Sequence, residues 1–152
     1  VVTIAKQSRK RGITCPCIGG DGCGSDELKN AGSALDGCYC SDYYSKEDKR
    51  PAVQTFLAKY KAAYGSAPDS MAALGYDAAN LLFDAMTRAK SLSGTDLAAA
   101  IAATKDFKAV TGSITINKNR DADKIAVIQK LEGGVFSYYT TIQPPKSATS
   151  AP

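Results

Sequence analysis

Asp21 and the chain's five cysteines carry most of the chemistry this sequence could do. Asp21 stands in Gly19-Gly20-Asp21-Gly22, directly after a short apolar run and before Cys23, Gly24 and Ser25. Glycines on either side give the backbone unusual freedom there. A single carboxylate, with no Lys or Arg beside it, suits an ammonium group better than a phosphate. The plainer alternative is that Asp21 only caps a turn. There is no histidine. The usual general base and the commonest metal ligand are therefore missing, and no nucleophile–base pair can be assembled from one.

Cys15 and Cys17 form one Cys-x-Cys pair and Cys38 and Cys40 another. In a strand, residues two apart share a face at about 7 Å, too far to bridge each other. Neighbouring strands lie about 4.8 Å apart, so a cysteine from each could meet. Three readings follow. The leading expectation is buried thiols serving as small apolar residues. A cross-strand disulfide is the second. The third is a metal or cluster site on Cys15, Cys17, Cys38 and Cys40, against which stands the absence of Cys-x-x-Cys spacing. Cys23 is left over in any paired scheme.

The elements that must position these groups read in order. Val1, Ile4, Ala5 and Ser8 recur at helical spacing and Gly12 stops that helix. Ile13 to Ile18 predicts a strand. Ser25, Asp26 and Glu27 mark the start of a helix running to about Ala31, with acids where the helix dipole favours them. Leu35 to Tyr44 predicts a second strand, giving α-β-α-β and the crossover of a parallel sheet. An acid at the end of the first strand would then lie where open α/β sheets bind ligands.

Ser45 to Arg50 reads as a charged linker. Pro51 opens a helix that Gly65 closes, with Val53, Phe56, Leu57, Tyr60 and Tyr64 on one face. A longer helix runs from near Pro68 to Lys90, with Met71, Leu74, Leu81, Leu82, Ala85, Met86 and Ala89 as its expected buried stripe. Thr95 is the expected cap of a third helix, Asp96 to Thr104. From Thr111 the period becomes two, predicting strands around Ile114 and Ile116, from Ile125 to Leu131 and from Val135 to Ile142. Residues 144 to 152 are expected to be disordered. Three consecutive helices need a sheet to cover their apolar stripes, yet no strand lies among them.

Composition narrows the classes. The chain has 152 residues, 44% of them apolar and 22% charged, with a net charge of +4. That is ordinary globular composition. The basic run Lys6 to Arg11 has no interleaved aromatics and reads as a wet helix face, which argues against a nucleic-acid partner. No apolar run reaches the roughly 20 residues of a membrane span.

GITCPCIGGDG, LKNAGSALDG, PAVQTFLAKYKAAYG, PDSMAALGYDAANLL and TKDFKAVTGSITI together resemble the branched-chain amino-acid binding proteins of ABC importers. The resemblance spans about residues 1 to 143. It implies an α/β fold of the type I periplasmic binding protein kind, two Rossmann-like lobes with the ligand between them, incomplete in this chain. It implies that residues 1–44 belong to the C-terminal lobe, 45–110 supply helices of the N-terminal lobe, and 111–143 return as strands of the C-terminal lobe. It implies a non-catalytic, extracytoplasmic protein that binds an amino acid or similar amine and works with the membrane subunits of an importer. A complementary chain or preceding segment would supply the rest. By the same resemblance Asp21 accepts the ligand's ammonium, Gly20 and Gly22 line the cleft, and Cys23 replaces a common aromatic in its wall; Tyr76 and Asp77 lie near the cleft's hinge side, with core or helix-cap duty as the alternative. No cofactor is implied. The cysteines depart from the family, which leaves an engineered or split scaffold with a cysteine-based metal or redox site as the alternative.

Overall fold

The structure, a computed structural model, describes residues 1–20 and 26–144. Helix α1 (Val2–Lys10) turns Val2 and Ala5 inward and ends on two basic residues, Arg9 and Lys10, where the helix dipole favours cations. Strand β1 covers only Ile18–Gly19. The expected start at Ile13 fails for a local reason. Pro16 has no N–H to give a ladder, and the Arg9 guanidinium takes the carbonyls of Ile13 (2.7 Å) and Cys15 (3.0 Å). The next helix is a 3₁₀ segment, Asp26–Leu35, broken at Gly32, and it runs beyond the expected end at Ala31. Arg9 Nε donates to Ala34 O at 3.0 Å and ties α1 to it.

Strand β2 (Cys38–Asp42) pairs in parallel with β1, as the crossover reading requires. Two later strands, β6 (Ala126–Glu132) and β7 (Val135–Ile142), complete this sheet in the order β1-β2-β6-β7. Leu28, Ala31, Leu35, Cys38, Cys40 and Leu131 form its core.

Between β2 and β6 lie helices α2 (Pro51–Tyr64), α3 (Ser70–Arg88) and α4 (Gly94–Ala102), then β3 (Phe107–Ala109), β4 (Gly112–Ile116) and β5 (Ala122–Asp123). Pro51 stands in the first turn of α2 and Gly65 closes it in the left-handed conformation that glycine tolerates, φ 76°. The caps of α3 and α4 are Asp69, accepting from Ala72 N at 2.8 Å, and Ser93, accepting from Asp96 N at 3.2 Å. The latter replaces the expected Thr95.

Strands β3, β4 and β5 pair with one another as a separate antiparallel sheet. The sequence reading sent every strand from residue 111 back to one sheet. Only β6 and β7 return to it. Tyr44, Val53, Phe56, Ala73 and Val110 make the second core, so the helices close on the β3–β4 turn rather than on a broad sheet. The supposed linker is also partly interior: Ser45 and Asp48 are buried. Burial pushes the Asp48 carboxyl up, but hydrogen bonds from Arg50 and its charge outweigh that and hold it below the ordinary carboxylate value.

Of the stripe expected on α3 only Ala85 is fully buried. The helix's buried residues are Ser70, Ala73, Asp77 and Ala85, whereas Met71 (62% exposed), Leu82, Phe83 (60%) and Met86 face solvent. Asp77 sets this rotation, because its carboxylate must reach the turn between β3 and β4.

Candidate functional site

The glycine-rich stretch follows β1 in the sequence. Gly20 is exposed there, while Asp21, Gly22 and Cys23 lie outside the described residues. Beside β1 a cavity of about 350 Å³ opens between α1, the Ile13–Cys17 loop and the 3₁₀ segment, with Gly19, Gly20, Leu35 and Leu131 in its wall. Tyr76 stands on α3, in the other half of the molecule. Its ring lies 4.9 Å from that of Phe56, in a chain of aromatics that includes Tyr44, Tyr60 and Tyr64, and it is 48% exposed. Gly20 and Tyr76 thus belong to separate layers, joined by the crossovers between them.

Those crossovers hold a polar cluster of which the sequence reading named only Asp77. The Asp77 carboxylate is 3% exposed and accepts from the backbone N–H groups of Val110 and Thr111, both at 2.8 Å. Thr111 Oγ1 accepts from Lys124 Nζ at 2.8 Å, and the same ammonium lies 4.4 Å above the Tyr43 ring. At the end of β2, the buried Asp42 accepts from Tyr43 N (2.6 Å) and from Gln129 Nε2 on β6 (2.9 Å). Burial raises the Asp42 carboxyl above its ordinary pKa of 3.8, and hydrogen bonds oppose the rise. Burial likewise lowers Lys124 from its ordinary 10.5, against the nearby charges of Asp77 and Asp42. One lysine therefore touches both the chain leaving the first sheet and the turn of the second. The available signal was a pair of charged residues, Asp42 and Lys124, at the ends of apolar strand patterns.

The thiols also depart from expectation. Cys17 and Cys38 form a disulfide with a Cα–Cα distance of 4.6 Å, Cys15 is exposed, and Cys40 is buried. The reading of all four as inert core thiols is corrected for Cys15, Cys17 and Cys38. Because β1 begins only at Ile18, Cys17 lies at its threshold, where its carbonyl accepts from Tyr39 N at 2.8 Å and its side chain faces Cys38. Two members of the proposed four-cysteine metal ring are thereby bonded to each other.

The sequence model described as periplasmic binding protein matches residues 1–134. The chain belongs to the periplasmic binding protein family. A leucine binding protein from Thermotoga maritima is 34% identical and superposes with a TM-score of 0.84, over 94% of this chain and 41% of its own. A branched-chain amino acid transporter substrate binding protein from Streptococcus pneumoniae, solved with isoleucine, is 28% identical with a TM-score of 0.78 and the same coverage. A solute binding protein of R. palustris in complex with benzoate shares the fold at 22% identity, TM-score 0.75, covering 98% of this chain and 42% of its own. Comparison with curated protein sequences finds no match. The type I periplasmic binding fold expected from the motifs is thus the fold of this chain, which spans about two fifths of the length of these relatives. The family is one of extracytoplasmic solute-binding proteins rather than of enzymes. No helix among the described residues is long and apolar enough to cross a membrane.

Proposed function

We propose that this chain is part of the solute-binding protein of an ABC importer and helps to capture an amino acid, or a similar small amine, between two lobes. In this reading residues 1–42 and 126–142 belong to the C-terminal lobe and 51–123 to the N-terminal lobe. The segments 43–50 and 124–125 are two of the crossovers. The membrane subunits of the importer are the protein's partners, and a preceding segment or complementary chain supplies the remaining strands.

The observation that carries the reading is the 34% identity to a leucine binding protein across 94% of the chain. It is supported by a lone acid, Asp21, in a glycine-rich stretch that follows β1 in the sequence. Asp21 accepts the ligand ammonium, with Gly20, Gly22 and Cys23 lining the cleft and Tyr76 on its far side. The exposed side of α3, with Met71, Phe83 and Met86, fits a helix that awaits strands from elsewhere.

Calorimetry on the full-length two-lobed protein tests the ligand class. Leucine or isoleucine should bind and benzoate should not. Benzoate binding in preference to both amino acids would overturn the amine assignment.

A further inference from the structure

The Cys17–Cys38 disulfide is built asymmetrically. Cys17 is exposed, whereas Cys38 is 2% exposed and belongs to the core of the first sheet. In this chain the Cys17 side of the bond is therefore the more accessible to an incoming thiolate. The buried sulfur has two donors around it among the described residues. Arg9 Nη2 lies 3.8 Å from Cys38 Sγ, and the Cys17 backbone N–H lies 3.3 Å from it. Arg9 is held in place by three carbonyls, those of Ile13, Cys15 and Ala34. All three are neutral acceptors, so they fix the guanidinium without cancelling its charge. A fixed cation beside a sulfur favours its thiolate form, and a thiol that ionises more easily leaves faster in exchange.

We propose that Cys17–Cys38 is an exchangeable disulfide, in which Cys17 accepts an incoming low-molecular-weight thiol and Cys38 departs as a thiolate held by Arg9. In the first step the external thiolate bonds to Cys17 Sγ. The Cys17–Cys38 bond breaks, and its electron pair goes to Cys38 Sγ. A second external thiolate then attacks the external sulfur of the mixed disulfide and releases Cys17. Two external thiols become one external disulfide, and the protein disulfide becomes two thiols, protonated from solvent. This chemistry is independent of which solute the protein binds. Its structural consequence is local: the covalent tie between Cys17 and β2 is lost, which leaves the Tyr39 N–H to Cys17 carbonyl bond to hold that edge.

The test exposes the folded protein to reduced glutathione. Freed thiols are capped with iodoacetamide, the reaction is quenched with acid, and the adducts are located by peptide mass spectrometry. Glutathione on Cys17 with the cap on Cys38 is the expected early product. Glutathione on Cys38, or a bond that resists reduction until the protein is unfolded, would overturn the proposal. Arg9→Gln should slow the first step about five- to tenfold, and Arg9→Lys should largely restore it. Equal rates in all three folded proteins would remove Arg9 from the account. Should Arg9→Gln fail to fold, the adduct position in the unmodified protein and the Arg9→Lys rate still decide. Full-length protein in which Cys17 resists glutathione while Cys15 reacts would also contradict the proposal.

Discussion

The crossover cluster and the outer side of α3 lie on the same helix and differ in one respect. The buried Asp77 carboxylate is answered from within the chain by two backbone N–H groups, and the Thr111 hydroxyl beside them accepts from Lys124. Met71, Phe83 and Met86, by contrast, stay exposed among the described residues. Burying side chains of that size is worth about 1.5–3 kcal/mol each, so leaving them in water is costly unless another segment covers them. The contrast teaches which parts this sequence completes by itself. It builds the joint between two sheets, and in the two-lobed reading proposed above the wall beyond α3 comes from elsewhere.

The joint breaks most severely at Asp77. Asp77→Ala removes the acceptor of two buried N–H groups, each worth about 1–3 kcal/mol when left unsatisfied. We expect a loss of about 3 kcal/mol in denaturant unfolding, with partial recovery in Asp77→Asn, which keeps one acceptor oxygen. A loss below about 1 kcal/mol would mean that the β3–β4 turn holds without it.

A smaller break is expected at Gly112. Its φ is +123°, and an added Cβ would lie 2.9 Å from Ile125 Cγ1, on the crossover into β6. Gly112→Ala should cost about 1–3 kcal/mol through backbone strain and overpacking. A melting temperature equal to that of the parent would show that Ile125 simply moves aside.

The outer side of α3 should respond least. Phe83→Ser in this chain should change stability by no more than about 0.5 kcal/mol, as at ordinary surface positions. In the full-length protein the same substitution should cost about 1.5–3 kcal/mol. Equal effects in the two contexts would mean that α3 is never covered, and the comparison drawn above would fail.

These contrasts follow what a sequence can and cannot reveal. The ends of α2 were legible because Pro51 and Gly65 act through their own backbone angles. The parallel β1–β2 pair was legible from the strand–helix–strand order. The true extent of β1 was not, because its carbonyls are taken by Arg9, a side chain from the preceding helix. The disulfide was legible only as the second alternative, one cysteine from each pair, because which two meet depends on the register of segments 21 residues apart. The buried side of α3 escaped for the same reason. Hydrophobic periodicity pointed to Met71 and Leu82, whereas a carboxylate bonded to residues 33 and 34 positions away decided the rotation. The glycine-rich turn around Asp21 was singled out by residue type alone, and its acid falls outside the described residues.

Asp21 therefore carries the central functional claim, and one titration tests it most directly. In the full-length protein, leucine and its deaminated analogue 4-methylpentanoate are titrated into the parent and into Asp21→Asn. A charge-assisted hydrogen bond to the ammonium is worth about 1.5–3 kcal/mol, or on the order of tenfold to a hundredfold in affinity. The account predicts that Asp21→Asn loses that factor for leucine, changes little for the analogue, and melts at nearly the same temperature as the parent. Unchanged leucine affinity in a folded Asp21→Asn protein would contradict it.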